Sequence, residues 1–347
     1  MGENIVNIVE PPAISVILAT RGDKAEFLKN CIESLKKQKF RNFEIIVVSK
    51  KFPKQLDDLF ESEHIRFLEE KGSTLGAARN LGVMNAKGKL VSFIDDDAEA
   101  SADWLDKISM TFSRFPSLCC LGGPHFTPQD ESEKNPLKLV EGSFLEAHLQ
   151  NTYFDKSAIG KIAGCNVTYK RSVFQDIGYL NENLKTCEDW EFNRRLVENR
   201  CSLRFDPDIW VLHHRQGLKH LFQNSSKLAP FYLSWKTFKL VRYEPLFAQF
   251  YATNLLFILL LVILFISQIF FVVLFLLLLV GYTIFTAVKT KTYNRKIFYF
   301  PLAIFLTIAR ILGFYFGLIK YAASKLHSLF ARSASPVKHS SLSQSLQ

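Results

Sequence analysis

The chain predicts an α/β domain on a mostly parallel sheet, followed by an α-helical membrane region. Three observations predict it. Short apolar, β-branched runs alternate with amphipathic helical patterns through the first third of the chain. An apolar strand runs straight into three consecutive acids in "LVSFIDDDAEA" (90–100). The 44 residues from Pro245 to Val288 carry no charge at all.

The first strands are "AISVILA" (13–19) and "FEIIVVS" (43–49), short and apolar as buried strands are. Between them "KAEFLKNCIESLKKQ" puts Phe27, Leu28, Cys31, Ile32 and Leu35 on one helical face. "HIRFL" (64–68), a helix over "TLGAARNLGVMNA" (74–86) and the strand "LVSFI" (90–94) repeat the alternation. Strand–helix–strand order at this spacing implies right-handed crossovers. Ligands of such sheets bind at the carboxyl ends of the strands, where Asp95, Asp96 and Asp97 fall. Taken alone, the three acids fit either a solvated loop or a divalent cation that removes their mutual repulsion. From about 118 to 180 the pattern loosens, with Gly122-Gly123-Pro124 and the polar run "TPQDESEKNP", which suits surface loops or an acceptor-facing lobe. A helical signature, "CEDWEFNRRLVENR", returns at 187–200.

The net charge of +10 does not point to nucleic acid, because nearly all of it belongs to nine Lys and Arg beyond Leu246, where no Asp or Glu occurs. Such residues flank apolar spans on the cytoplasmic side of a membrane. Six cysteines without paired spacing read as reduced thiols of a cytosolic domain. The N-terminus has neither a basic n-region nor a long apolar core, which argues against a cleaved signal peptide, and the sixth position lacks the Ser or Thr of a myristoylation signal.

Residues 217–245 interleave aromatic and aliphatic side chains with Lys219, Lys227, Lys236, Lys239 and Arg242, a pattern suited to interfacial helices in the headgroup layer. An amphipathic helix packed on its own domain would read the same way. As one helix, the uncharged run from Pro245 would be about 66 Å long, roughly twice the hydrocarbon thickness. Two spans near 246–266 and 269–288 are the economical solution, with the basic loop "KTKTYNRK" returning to the cytoplasm. The segment 297–323 contains Pro301 and Arg310 and is either a third span or an interfacial helix. The Ser-rich end, 331–347, reads as a disordered tail.

Three further stretches stand beside the acids. "TLGAARNLG" bears Arg79 and Asn80. "AGCNVTYKR" contains Asn166, and "KTCEDWEFNRRL" puts Glu188 and Asp189 in a first helical turn with Arg195 two turns on. "WVLHHR" supplies His213. A carboxylate pair at a helix N-terminus ordinarily just complements the dipole, and a lone histidine is ordinarily structural. In this order, however, A-R-N-x-G, an apolar strand ending in D-x-D, G-x-N, E-D with a following Arg, and a later His resemble the family 2 glycosyltransferases of the GT-A fold over residues 13–216.

The resemblance implies a GT-A, Rossmann-like catalytic domain over 1–216 that uses a nucleotide-diphosphate sugar and a divalent cation, Mn²⁺ or Mg²⁺. It implies Asp97 and His213 as metal ligands and Asp95 and Asp96 at the nucleotide. Arg79, Asn80, Asn166 and Arg195 also fall to the nucleotide sugar. Asp189, beside Glu188, is the general base of an inverting transfer. The expected acceptor is lipid-linked or membrane-proximal, and the expected location is a multi-pass membrane protein with its catalytic domain on the cytoplasmic face.

Two departures stand out. Where many relatives end the second strand in V-D-D-G-S, this chain has Ser49, Lys50 and Lys51. "ILATRGD" replaces P-T-Y-N, which leaves Thr20 and Arg21 to line the nucleotide pocket. The missing acid supports an alternative, a non-catalytic nucleotide-sugar-binding relative acting as a membrane scaffold. An oxidoreductase would need a glycine-rich turn after the first strand, and "ATRGDK" holds only Gly22. A processive synthase would carry Q-x-x-R-W, which is absent.

Overall fold

The computed structural model describes residues 11–128 and 162–214 except Asp23, Pro53, Ser62, Glu63 and Ser73, and further helical residues among 252–281 and 308–324. The first two blocks form a seven-stranded sheet in the order β3-β2-β1-β4-β8-β6-β9 and a three-stranded sheet in the order β5-β10-β7. The large sheet comprises β1 (Ile14–Ala19), β2 (Phe43–Ser49), β3 (Ile65–Glu69), β4 (Leu90–Ile94), β6 (Leu118–Gly122), β8 (Asn166–Lys170) and β9 (Ser202–Phe205). β8 is antiparallel to both β4 and β6, while the β1–β2, β1–β4, β2–β3 and β6–β9 pairs are parallel. The small sheet is β5 (Ala98–Ala100), β7 (His125–Phe126) and β10 (Val211–His213).

The central strands are apolar throughout because both sheet faces are covered. Ile14, Val16 and Leu18 of β1 and Ile45 and Val47 of β2 pack with Leu28, Cys31, Ile32 and Leu35 of α1 (Ala25–Lys36) and with Trp104, Leu105 and Ile108 of α3 (Trp104–Arg114). The opposite faces, with Ile17, Ile46, Val48, Val91 and Phe93, pack with Ala78 and Val83 of α2 (Leu75–Asn85), Phe174 of α4 (Ser172–Ile177), and Phe192 and Leu196 of α5 (Glu188–Glu198). Thr74 caps α2 by accepting the Ala77 amide at 3.2 Å. Gly82 lets that helix lie on β1, since a Cβ there would come within 2.5 Å of Ile17.

The elements expected over 13–94 and 187–200 are present within a residue or two of their predicted ends. The described parts of 118–180 correct the expectation of loops, because they hold β6, β7, β8 and α4. Two strands there read poorly for local reasons. β8, "NVTYK", is part polar, since Thr168 pairs with Ser92 and Asn166 is a buried hub, and β6, "LCCLG", is short and cysteine-rich.

The interfacial segment 217–245 and the tail 331–347 lie outside the described residues, as do much of the spans expected at 246–266 and 269–288 and the first part of 297–323. Among the described residues no helix is long and apolar enough to cross a membrane. Helical residues 254–262 and 311–324 meet through Phe257 and Tyr315, whose ring centroids are 5.1 Å apart.

Candidate active site

The strand order reverses between β1 and β4, and the crevice beyond their carboxyl ends holds Thr20 on one side and Asp95–Asp97 on the other. Thr20 Oγ1 donates to Asp96 and accepts the Gly22 amide at 3.0 Å across a turn in which Gly22 adopts φ +74°. Arg21 is exposed beside it. His213 reaches the acids through the small sheet: β10 pairs antiparallel with β5 so that His213 lies opposite Ala98, and the His214 amide donates to the Asp97 carbonyl at 2.8 Å. His213 Nε2 then stands 3.4 Å from Asp97 Oδ1 and 3.5 Å from Asp95 Oδ2.

Arg79 ties this cluster to the second carboxylate pair. Its guanidinium donates to Asp95 Oδ1 at 2.9 Å, Glu188 Oε1 at 2.7 Å and the Gly164 carbonyl at 2.9 Å, while stacking 5.3 Å from the Phe93 ring centroid. Asp189 Oδ2 accepts the Gly164 amide at 2.6 Å, and Oδ1 accepts the Trp190 amide at 2.8 Å, in the first turn of its own helix. Asp95, Asp97, His213, Glu188 and Asp189, scattered along the chain, are thus joined by one continuous set of contacts.

Electrostatics distinguishes the carboxyls. Burial pushes Asp95 up, but His213 and Arg79 outweigh it and hold that group at about 2. Asp96 rises to about 6 because it is buried beside Asp97 and Asp95, with the Thr20 hydroxyl only partly offsetting them. Glu188 and Asp189 are also raised, chiefly by burial. Asp97 is only 4% exposed and has Lys24 at 3.8 Å. Among the described residues, Asp95, Asp96 and Asp97 crowd together with Arg79 and Lys24 beside them, and a divalent ion would relieve the repulsion that raises Asp96.

The residues fit such an ion. Donors bound side by side to one metal at about 2.1 Å stand roughly 3.0–3.4 Å apart, close to the separations of His213 Nε2 from the two Asp oxygens. Asp95, His213 and Cys165 also form a group whose ligand atoms all lie within 4.8 Å of one another.

Several residues expected at the nucleotide are held by partners within the protein. Asn166 accepts from Trp104 Nε1 at 2.9 Å and donates to the Pro124 and Ile209 carbonyls at 3.0 and 2.8 Å, so its side chain braces the sheet. Asn80 exchanges hydrogen bonds with the Leu180 backbone and donates to Glu182, which ties down the loop before α5. Arg195 is bound to Glu191 and to the Ile177 and Tyr179 carbonyls, away from the acids. Arg79, with three partners, organises the carboxylates. Glu188, 3% exposed and paired with Arg79, stands with these framing residues. Sequence reasoning passed over Lys24 and Cys165. Lys24 gives no sequence signal, whereas Cys165 stands directly between Gly164 and Asn166 of the G-x-N pattern.

Residues 15–178 match the family model described as Glycosyl transferase family 2. A Bacillus subtilis protein assigned as a glycosyltransferase, EpsH, is 29% identical over 175 residues, covering 48% of this chain and 49% of its own length. Glucosyl-dolichyl phosphate glucuronosyltransferase of Haloferax volcanii is 24% identical over 188 residues, covering 49% of this chain and 56% of its own. The chain spans about half or less of the length of the first curated relatives it matches. Among solved structures, the mannosyltransferase PcManGT of Pyrobaculum calidifontis, in complex with GDP-Man and Mn²⁺, shares the fold with a TM-score of 0.55 at 13% identity, covering 88% of each chain.

Proposed function

We propose that this chain, whose residues 15–178 match the family 2 glycosyltransferase model and whose described fold is GT-A-like, is a membrane-anchored inverting glycosyltransferase. It moves a sugar from a nucleotide-diphosphate sugar to a lipid-linked or membrane-proximal acceptor. One observation carries the reading: Arg79 joins Asp95 of the acidic loop to Glu188 at the head of α5, so the D-x-D acids, His213 and Asp189 line one cleft.

Asp97 and His213 would hold a divalent cation, with Asp95 beside them, and that ion would neutralise the pyrophosphate as the glycosidic bond breaks. A donor captured with its metal in the distant PcManGT fits this assignment. Asp189 is the proton acceptor for the attacking hydroxyl. Burial raises its carboxyl, which makes it a stronger base than a solvated aspartate. Two amides, from Gly164 and Trp190, fix its orientation. Glu188 holds Arg79, and Arg79 keeps Asp95 ionised. Thr20 positions Asp96 at the expected nucleotide side.

Membrane anchoring rests on the uncharged run 245–288 and on the helical residues beyond the domain. Leu255, Ile258, Leu259, Leu261 and Val262 are 46–67% exposed, as are Leu312 and Ile319, a degree of apolar exposure that favours a lipid surround over water. The basic loop at 289–296 favours the cytoplasmic face for itself and for the catalytic domain. Restricting enzyme and acceptor to one surface raises their effective concentration.

The experiment is a panel of UDP-, GDP- and TDP-sugars with and without Mn²⁺ on the purified full chain. One donor should stabilise it in a metal-dependent way and be consumed on a polyprenyl phosphate acceptor. Ser49, standing where relatives carry an acid, favours a second reading, a non-catalytic nucleotide-sugar binder. Donor binding without turnover on any acceptor would select that one.

A further inference from the structure

Cys165 occupies a constrained position. Its predecessor Gly164 is held at both ends of the residue, its amide on Asp189 Oδ2 at 2.6 Å and its carbonyl under Arg79 at 2.9 Å. Its successor Asn166 is 1% exposed, with its side chain bound to Trp104, Pro124 and Ile209. The turn itself closes through the Asn166 amide on the Ala163 carbonyl at 3.0 Å. The backbone around the thiol is therefore fixed to the same framework that fixes the carboxylates. From it, the Cys165 sulfur lies within 4.8 Å of ligand atoms of both Asp95 and His213.

We propose that Cys165 is a thiolate ligand of the cleft's cation, which makes the site a mixed oxygen, nitrogen and sulfur centre selective for borderline and soft divalent ions such as Zn²⁺ and Co²⁺ over Mg²⁺ and Mn²⁺. The inference rests on reading the cleft as a cation site and goes beyond the aspartate and histidine donors assigned above. Four-coordinate Zn²⁺ takes sulfur at about 2.3 Å and imidazole nitrogen at about 2.0–2.1 Å. Donors so bound stand roughly 3.5 Å apart, and the three ligand atoms already lie within 4.8 Å of one another on a braced backbone. Thiolate and imidazole together favour the later first-row metals, whereas an all-oxygen site leaves Mg²⁺ and Mn²⁺ competitive. Carboxylates attract any divalent ion, so the sulfur sets selectivity among them. Binding replaces the S–H bond with a sulfur–metal bond and sends the thiol proton to solvent.

The test is a titration of the purified, reduced, metal-stripped full chain with Co²⁺, following sulfur-to-cobalt charge-transfer absorption. One thiolate should bind at one equivalent, and Cys165→Ser should abolish the band. Since even an outer-sphere partner is worth about 10–100-fold in metal affinity, the same variant should weaken Zn²⁺ by at least about a hundredfold and Mn²⁺ far less. Calorimetry in buffers of differing ionisation enthalpy should show one proton fewer released by the variant. X-ray absorption at the zinc edge of the wild-type protein, which needs no variant to fold, should find one sulfur neighbour. Stoichiometric Co²⁺ binding with no charge-transfer band, a band that survives in Cys165→Ser, or a zinc edge showing only nitrogen and oxygen would each overturn the proposal. Wild-type sugar transfer separates it from the functional reading: transfer with Mn²⁺ and no thiolate band removes only the sulfur ligand, whereas a band without transfer from any donor removes only the glycosyltransferase.

Discussion

Replacing Arg79 with methionine tests whether the cleft is held together as described. The guanidinium meets Glu188 at 2.7 Å with both side chains only 4% exposed, and it also bonds Asp95 and the Gly164 carbonyl. Removing one partner of a buried ion pair leaves the other charge uncompensated and costs about 3–5 kcal/mol, a large fraction of the roughly 5–15 kcal/mol that holds a domain folded. The loss should depend on pH in a definite direction. Burial already raises the Glu188 carboxyl, and Arg79 is the main group opposing that rise, so its removal lifts the folded-state value further. Between the unfolded value near 4.3 and this raised folded value, the folded protein retains a proton that the unfolded chain has lost. Stability then falls as pH rises through that window. The variant should accordingly be hurt most near pH 8 and recover part of the loss near pH 5, where Glu188 takes up a proton and no longer needs a counter-ion. Urea unfolding at both pH values, followed by tryptophan fluorescence (Trp104 is fully buried and bonded to Asn166), reads the difference. A loss below about 1 kcal/mol, or an equal loss at both pH values, would refute the buried-pair account.

Asp189→Asn should lower turnover by about 10²–10⁴-fold, the usual worth of a general base, with donor affinity unchanged in a calorimetric titration. Asp97→Asn should instead weaken Mn²⁺ binding, read by electron paramagnetic resonance of the free ion, while thermal stability falls little. Glu44→Gln should cost about 1.5–3 kcal/mol at pH 7, the worth of hydrogen bonds to a charged group. Burial would raise the Glu44 carboxyl, but the Ser15 hydroxyl, the Lys87 amide and Arg66 bring it below the usual value. That stability is present above the unfolded value and disappears as pH falls through the folded one, so the penalty measured by denaturant unfolding should shrink below about pH 4. Gly123→Ala should lower the melting temperature sharply in a calorimetric scan, because a Cβ there overlaps the Ile209 carbonyl oxygen.

The sequence showed the front half of the domain clearly and the back half poorly, and the reason is local. β1, β2 and β4 are buried on both faces by α1, α2 and α3, so their burial is written as unbroken apolar runs. β8 also sits inside the sheet, yet it carries Asn166 and Thr168 because its backbone and side chains brace β4 and the β7 and β10 region. Its polarity reports tertiary hydrogen bonds that no window of neighbouring residues can reveal. β5, β7 and β10 are two or three residues each, below the length at which periodicity is informative. Yet the β5–β10 register is what delivers His213 to the acids. Motif order, not pattern, led to that histidine.

Hydrogen-bond satisfaction divides the motif residues into two kinds. Asn80, Asn166, Arg79 and Arg195 spend their donors on named carbonyls and carboxylates, as buried polar groups must. Each joins segments apart in the chain and so helps to shape the cleft. His213 differs. Its Nε2 stands 3.4 Å from Asp97 Oδ1, at the outer limit of a hydrogen bond, and its buried Nδ1 has no partner among the described residues. Two more buried atoms are likewise unpartnered, Ser49 Oγ at the end of β2 and Glu70 Oε1 just beyond β3, neighbours whose backbones meet through the Glu70 amide on the Ser49 carbonyl at 2.9 Å. They lie at the carboxyl ends of the strands, where the second-strand acid of many relatives is missing. A nucleobase offering one donor to each would relieve both, so Glu70→Gln should change the preference among UDP-, GDP- and TDP-sugars in a competition assay while leaving Mn²⁺ affinity intact. An unchanged preference would mean that base selection lies elsewhere in the cleft.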